Sequence, residues 1–173
     1  MKNRKTFNLI NSAMFCTLVF AATFISIPAP LMGNINLGDS IILLGSLLLD
    51  APWAIISGAL GATLCDAVNG YMIYAPATFV IKGIMVCIMV VFGKIKEKFH
   101  INGFLFLLIS AISAELFMAL GYFVYEATVM SYGFGAAANI PFSLIQGLIN
   151  TIIFSILYVI IKRNKSLSRF YKL

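Results

Sequence analysis

The strongest constraint on this chain is the succession of long apolar stretches that fills residues 7–161, broken only by short polar connections. A helix needs about 20 mostly apolar residues to cross the hydrocarbon core of a bilayer, so a chain of this length has room for roughly five to seven crossings. Composition agrees: 61% of the 173 residues are hydrophobic and 10% are charged, against roughly a quarter charged in an average soluble domain. Such a balance cannot coat a water-facing surface. The expected fold is therefore all-α, a polytopic integral membrane bundle. It forms one membrane domain over residues 1–173, with helices near 7–27, 40–49, 52–68, 76–93, 103–128 and 141–161.

Charge placement selects six crossings from that range. Lys2, Arg4 and Lys5 precede the first apolar run, Lys94, Lys96 and Lys98 follow the fourth, and Lys162, Arg163, Lys165, Arg169 and Lys172 follow the last. With six helices and cytoplasmic N- and C-termini, all three clusters fall on the cytoplasmic side, as the positive-inside rule requires. An odd count would put the last cluster outside. The net charge of +6 does not point to nucleic acid, because these cations sit between and beyond apolar runs rather than on one exposed folded face. The first apolar run is too long for a signal peptide, and residues 28–39 resemble a structured loop more than a cleavage site. Cys16, Cys65 and Cys87 lie inside apolar runs without metal-ligand spacing and are read as buried packing residues.

Pro28 and Pro30 are expected to stop the first helix and open an ordered outer loop, with Asp39 or Ser40 capping the next helix. That second helix is too short to cross upright, so it must tilt, extend into its flanking loops or be shielded by protein. In the third, Ala54, Ser57, Gly58, Gly61, Ala62 and Cys65 form a stripe of small residues that lets a neighbouring backbone come close. Asp50, Ala51 and Pro52 make an inner turn. Gly133 and Gly135 lie in an outer connection that leads to Pro141. No internal repeat is visible.

Four ionisable side chains outside the clusters need partners inside the membrane: Asp39, Asp66, Lys82 and Glu115. Asp66 lies about one turn and Lys82 about two turns below the outer ends of their helices, so the two come within reach of each other. Two readings stand side by side: a structural ion pair between helices three and four, or Lys82 on the floor of an outward-facing pocket, donating to a ligand. Glu115, halfway along the fifth helix, serves either as a proton relay or as a carboxyl group hydrogen-bonded to a neighbouring helix or ligand. Tyr71, Tyr74, Tyr122, Tyr125 and Tyr132 gather at the outer end. They form an interfacial belt or, beside Asn34, Asn36, Asn69 and Asn139, a pocket for a flat heteroaromatic ligand. Gln146 and Asn150, one turn apart, either join that pocket or bridge helices.

No catalytic constellation is evident. Gly93-Lys94 lacks the Ser or Thr and the upstream glycine of a phosphate loop, and the single histidine, His100, belongs to an inner loop. The expectation is a protein that is not an enzyme and has no cofactor and no metal.

The stretch Met32-Gly33-Asn34-Ile35-Asn36-Leu37-Gly38-Asp39, the glycine-rich third helix ending in Asp66, and Tyr74-Ala75-Pro76-Ala77-Thr78 leading to Lys82-Gly83 carry a resemblance. Together they resemble the substrate-binding S components of energy-coupling factor (ECF) vitamin transporters. The likeness extends over essentially the whole chain in length, helix count and orientation. It implies a multi-pass protein of the bacterial plasma membrane that captures a water-soluble vitamin from outside. Delivery then requires docking on a transmembrane coupling subunit (the T component) with two ABC ATPases. In that family the loop after helix one and helices four to six surround the ligand, which marks Asn34, Asn36, Asp39, Lys82, Glu115 and Tyr122. Tyr74, Asn139 and Gln146 join them from the pocket reading. Small residues spaced four apart on helix one pack on the coupling subunit in the family; here they are Ala13, Thr17 and Ala21, with Thr17 departing from the usual alanine. The resemblance leans toward pyridoxine or a hydroxymethylpyrimidine-like compound, with riboflavin as the alternative. A proton-coupled secondary carrier working through Glu115 or Asp66 is the competing class, although its usual inverted repeat is not visible. A structural or assembly subunit without a ligand is a third.

Overall fold

The computed structural model describes residues 2–28, 34–99 and 103–164. His100, Pro30, Met32, Gly33, Lys165, Arg169 and Lys172 lie outside the described residues. Six α-helices carry the fold: α1 (Lys2–Phe24), α2 (Gly38–Leu48), α3 (Ala51–Val68), α4 (Ala75–Phe99), α5 (Gly103–Thr128) and α6 (Ile140–Arg163). Five of them are long and apolar enough to cross a membrane, and the sixth, α2, has only 11 residues.

The first departure from expectation lies at the end of α1. The helix stops at Phe24 rather than near residue 27, and Ser26–Pro28 forms a strand, β1, paired antiparallel with β2 (Asn34–Asn36) in the register Ser26↔Asn36, Ile27↔Ile35, Pro28↔Asn34. β-branched Ile27 and Ile35 face each other across this ribbon, and Pro28 stands at its end, where a missing N–H is tolerated. The loop is thus a hairpin, which fixes where Asn34 and Asn36 stand.

A second departure concerns how α2 begins. The helix starts at Gly38 with Leu37 at its N-cap, so Asp39 and Ser40 lie inside the first turn and neither caps it. The first N–H groups of a helix have no intrahelical acceptor and must be satisfied from elsewhere. Asn36 Oδ1 accepts from the Gly38 N–H at 3.1 Å, and Asn150 Oδ1, from α6, accepts from the Ser40 N–H at 2.9 Å. An apolar helix capped by a neighbouring helix can sit inside the bundle, and α2 does. It contacts α1, α3, α4 and α6, and eight of its residues are buried. Of the three ways a short helix can cope with a bilayer, this one is shielded by protein along its length.

α3 packs between α1 and α4, and α5 between α4 and α6. The small-residue stripe of α3 is buried throughout, as expected. At Gly61 a Cβ atom would stand 2.6 Å from the Cys16 carbonyl oxygen and 2.8 Å from Val19 Cβ, so α1 approaches as closely as it does only because that position has no side chain. Leu43, Met85, Met89, Ala111, Met118 and Phe154 form the centre of the larger core, and Val19, Ile42, Ala62 and Val86 that of the smaller. Leu9, Met14, Leu105, Leu120, Leu148 and Ile160 point outward, as lipid-facing positions do. Cys65 is buried and Cys16 half-buried. Cys87 is exposed on the outer face of α4, contrary to its reading as a core residue, because it follows the inward-facing Met85 and Val86 around the helix.

The two ends of the bundle differ in charge. α4 runs six residues beyond its expected end, which carries Lys96 and Lys98 into its last turn; α6 likewise ends on Lys162 and Arg163. These positions favour the carbonyl end of the helix dipole. At the same end Asn8 of α1 donates to Asp50 in the α2–α3 turn at 2.8 Å. The opposite end holds the hairpin, the α3–α4 turn and a 3-10 helix, Gly133–Asn139, between α5 and α6.

Candidate ligand-binding site

The hairpin end of the bundle encloses a cavity with about 600 Å³ of open space, its mouth included. Its walls are faces of three helices and one strand. α5 contributes Met118, Tyr122 and Glu126, spaced four apart; α4 contributes Thr78, one turn after Tyr74; α6 contributes Phe142, Ser143 and Gln146; and β2 supplies Asn34, Ile35 and Asn36. Asp66, Tyr71 and Asn139 complete the lining.

The tyrosines form a connected aromatic wall. Tyr74 lies 6.4 Å from Tyr71, 6.3 Å from Tyr122 and 6.0 Å from Tyr125, centroid to centroid. Their hydroxyl groups are anchored on polar atoms. Tyr71 donates to Asn34 Oδ1 at 3.5 Å, Tyr125 donates to the Ile73 carbonyl, and Tyr74 donates to Glu126 Oε1 at 3.1 Å. Glu126 is 3% exposed, and its second oxygen accepts from Asn139 Nδ2 at 2.9 Å. Thr78 Oγ1 donates to Asp66 Oδ2 at 2.5 Å and lies 3.0 Å from the Tyr122 hydroxyl. A threonine hydroxyl has one hydrogen, and here Asp66 takes it, so Tyr122 is the donor to Thr78.

Below the cavity lies a buried charged layer. Lys82 Nζ is 2.5 Å from Asp39 Oδ1, the two residues being 2% and 0% exposed. Asp39 Oδ2 accepts from Gln146 Nε2 at 2.6 Å, while Gln146 Oε1 accepts from the Asn36 N–H at 3.1 Å. Asn150 Nδ2 adds bonds to the Asn36 and Gln146 carbonyls at 2.8 and 3.0 Å. Lys82 also lies 5.4 Å from the centre of the Tyr122 ring, a cation–π distance. This layer ties α2, α4, α5 and α6 to the hairpin.

Six of the residues expected from the sequence therefore line the cavity together: Asn34, Asn36, Tyr74, Tyr122, Asn139 and Gln146. Asp39 and Lys82 lie beneath it, bound to each other. The expected pair between Asp66 and Lys82 does not form. Asp39 on the central helix reaches Lys82 first, and Asp66 turns to Thr78 and the cavity. Glu115 lies apart, in a lipid-side cleft between α5 and α6 with Ile112, Leu116, Leu144, Gly147, Leu148 and Thr151. It is 4% exposed, and neither carboxyl oxygen has a hydrogen-bond partner among the described residues. Asn69 is also outside the lining and donates to Cys65 Sγ at 3.3 Å. Ala13, Thr17 and Ala21 are all exposed along one face of α1. Thr17 donates its hydroxyl to the Ala13 carbonyl at 3.0 Å, which leaves that face without an unsatisfied polar group.

The reading of the sequence missed Glu126, Thr78, Met118, Phe142 and Ser143. The signal was present in the helical spacing. Starting from Tyr122, steps of four give Met118 and Glu126; from Tyr74 a step of four gives Thr78; from Gln146 steps back of three and four give Ser143 and Phe142.

A multi-pass helical membrane protein with an aromatic-walled cavity at one end is the class this fold defines. The family model for the ECF-type riboflavin transporter S component matches residues 3–163, and the chain belongs to that family. It is an S component of a vitamin transporter, which is a transport subunit and not a class of enzyme. Among solved structures, the S component of a bacterial ECF transporter superposes with a TM-score of 0.73 at 22% identity, covering 92% of this chain and 97% of that one. At that identity the likeness is one of fold. No curated protein matches the chain.

Proposed function

We propose that the chain binds riboflavin from outside a bacterial cell and delivers it through a T component and two ABC ATPases. The observation that carries this reading is the wall of Tyr71, Tyr74 and Tyr122 lining one cavity together with Asn34, Asn36, Asn139 and Ser143. A fused-ring heteroaromatic ligand stacks on such rings and bonds its edge atoms to the amides, and a polyhydroxylated tail suits the remaining polar lining. The family model favours riboflavin over the pyridoxine or hydroxymethylpyrimidine-like substrate to which the sequence resemblance leaned. The lysine-rich end, opposite the cavity, supports cytoplasmic termini and an outward-facing mouth. The exposed face of Ala13, Thr17 and Ala21 suits docking on the T component, since small residues let two helices approach closely.

The test is calorimetry on the purified chain in detergent, titrated separately with riboflavin, pyridoxine and hydroxymethylpyrimidine. Riboflavin is expected to bind with a Kd on the order of nanomolar and the other two at least about a hundredfold more weakly. Tighter binding of either single-ring compound would overturn the assignment of riboflavin.

A further inference from the structure

The cavity contains acids and no base. Asp66 and Glu126 both line it, and none of its lining residues is a lysine, arginine or histidine. The sequence reinforces this, because it has no basic residue between Lys5 and Lys82 and none between His100 and Lys162. The hairpin end therefore has no cation to offer except Lys82, which is buried and held 2.5 Å from Asp39.

Several donors around the cavity are already engaged. Tyr74 and Asn139 donate to Glu126, Thr78 donates to Asp66, Tyr122 donates to Thr78, and Gln146 donates to Asp39. The hydroxyl hydrogens of Tyr74, Thr78 and Tyr122 are thereby taken, while Asn139 and Gln146 each carry a second amide hydrogen, and the carboxylates keep lone pairs for a donor. A ligand that brings donors of its own, such as hydroxyl or ring N–H groups, suits the two carboxylates in this lining. A phosphoryl group brings only acceptor oxygens and about −1.5 to −2 charges, and it meets two carboxylates in a site partly shielded from water.

We infer that Glu126, supported by Asp66, is the specificity determinant that admits the uncharged, hydroxyl-rich vitamin and rejects its phosphate ester. This rests on the reading of the cavity as a riboflavin site. Glu126 is suited to the role because Tyr74 and Asn139 grip both its oxygens, so the charge cannot swing away from an incoming anion. Glu126→Gln removes that charge and keeps the shape. The new amide oxygen still accepts from Asn139, and the new amide nitrogen donates to Tyr74, whose hydroxyl can turn to accept.

The experiment compares riboflavin with riboflavin 5′-phosphate by calorimetry in the presence of a chelator, so that no bound divalent ion masks the phosphate. The wild-type chain is expected to prefer riboflavin by at least about tenfold. Glu126→Gln, and separately Asp66→Asn, are expected to narrow that preference by at least about fivefold, mainly through tighter binding of the phosphate ester. Equal binding of both flavins by the wild type would overturn the inference while leaving the riboflavin assignment standing. So would an unchanged preference in both variants with riboflavin still bound. Should Glu126→Gln fail to fold, the wild-type preference and Asp66→Asn still decide. Failure of the wild type to bind either flavin would overturn both readings.

Discussion

Replacing Lys82 with Met tests whether the layer beneath the cavity is structural. At 2.5 Å and an effective dielectric near 20, the attraction between Lys82 and Asp39 is of order 7 kcal/mol. Removing both ions from water costs several kcal/mol each, so the intact pair contributes little net stability. Breaking it from one side is different. Asp39, fully buried, keeps only the Gln146 amide as a side-chain partner and must remain as an uncompensated charge or take up a proton. The expected loss is about 3–5 kcal/mol. Thermal unfolding in detergent measures it, and the double variant Asp39→Asn with Lys82→Met should recover most of the loss, because the amide still bonds to Gln146 and no charge is stranded. Riboflavin affinity in the double variant should change by less than about threefold, since neither residue lines the cavity. The reasoning is refuted if Lys82→Met is as stable as the wild type, or if the double variant is no more stable than the single one.

Two further predictions address residues that the cavity does not use. Glu115→Leu removes a buried carboxyl group that has no hydrogen-bond partner among the described residues and should raise stability by roughly 1–3 kcal/mol with riboflavin binding retained; a loss of stability on thermal unfolding would mean that the carboxyl group has a partner. Ala13→Trp places a bulky side chain on the exposed face of α1 and should abolish co-purification with the T component and ATPases while leaving vitamin affinity unchanged; an intact complex would remove that face from the docking surface.

Much of this protein was legible in the sequence because a bilayer admits few solutions. Apolar runs of the right length must be helices, since backbone groups in lipid have no other partners, and the three cation clusters, read with the positive-inside rule, called for an even number of them. The stripe from Ala54 to Cys65 announced a close helix contact by its spacing alone. Tyr74, Tyr122, Asn139 and Gln146 could be assigned to one end simply by counting along helices.

Which charged group meets which was a matter of tertiary structure. Asp66 and Lys82 had compatible depths, and depth was all that the sequence offered. The choice fell to Asp39 because α2 runs through the centre of the bundle, where a helix of 11 residues is covered on several sides and carries its first-turn carboxyl group to Lys82. The sequence likewise placed Glu126 at the end of an apolar run without revealing that Tyr74 and Asn139, 52 and 13 residues away, close on its two oxygens. Helical periodicity is local and survives in one dimension. The pairing of buried polar groups depends on which helix is central and how each is turned, and that is settled only when all the faces pack at once.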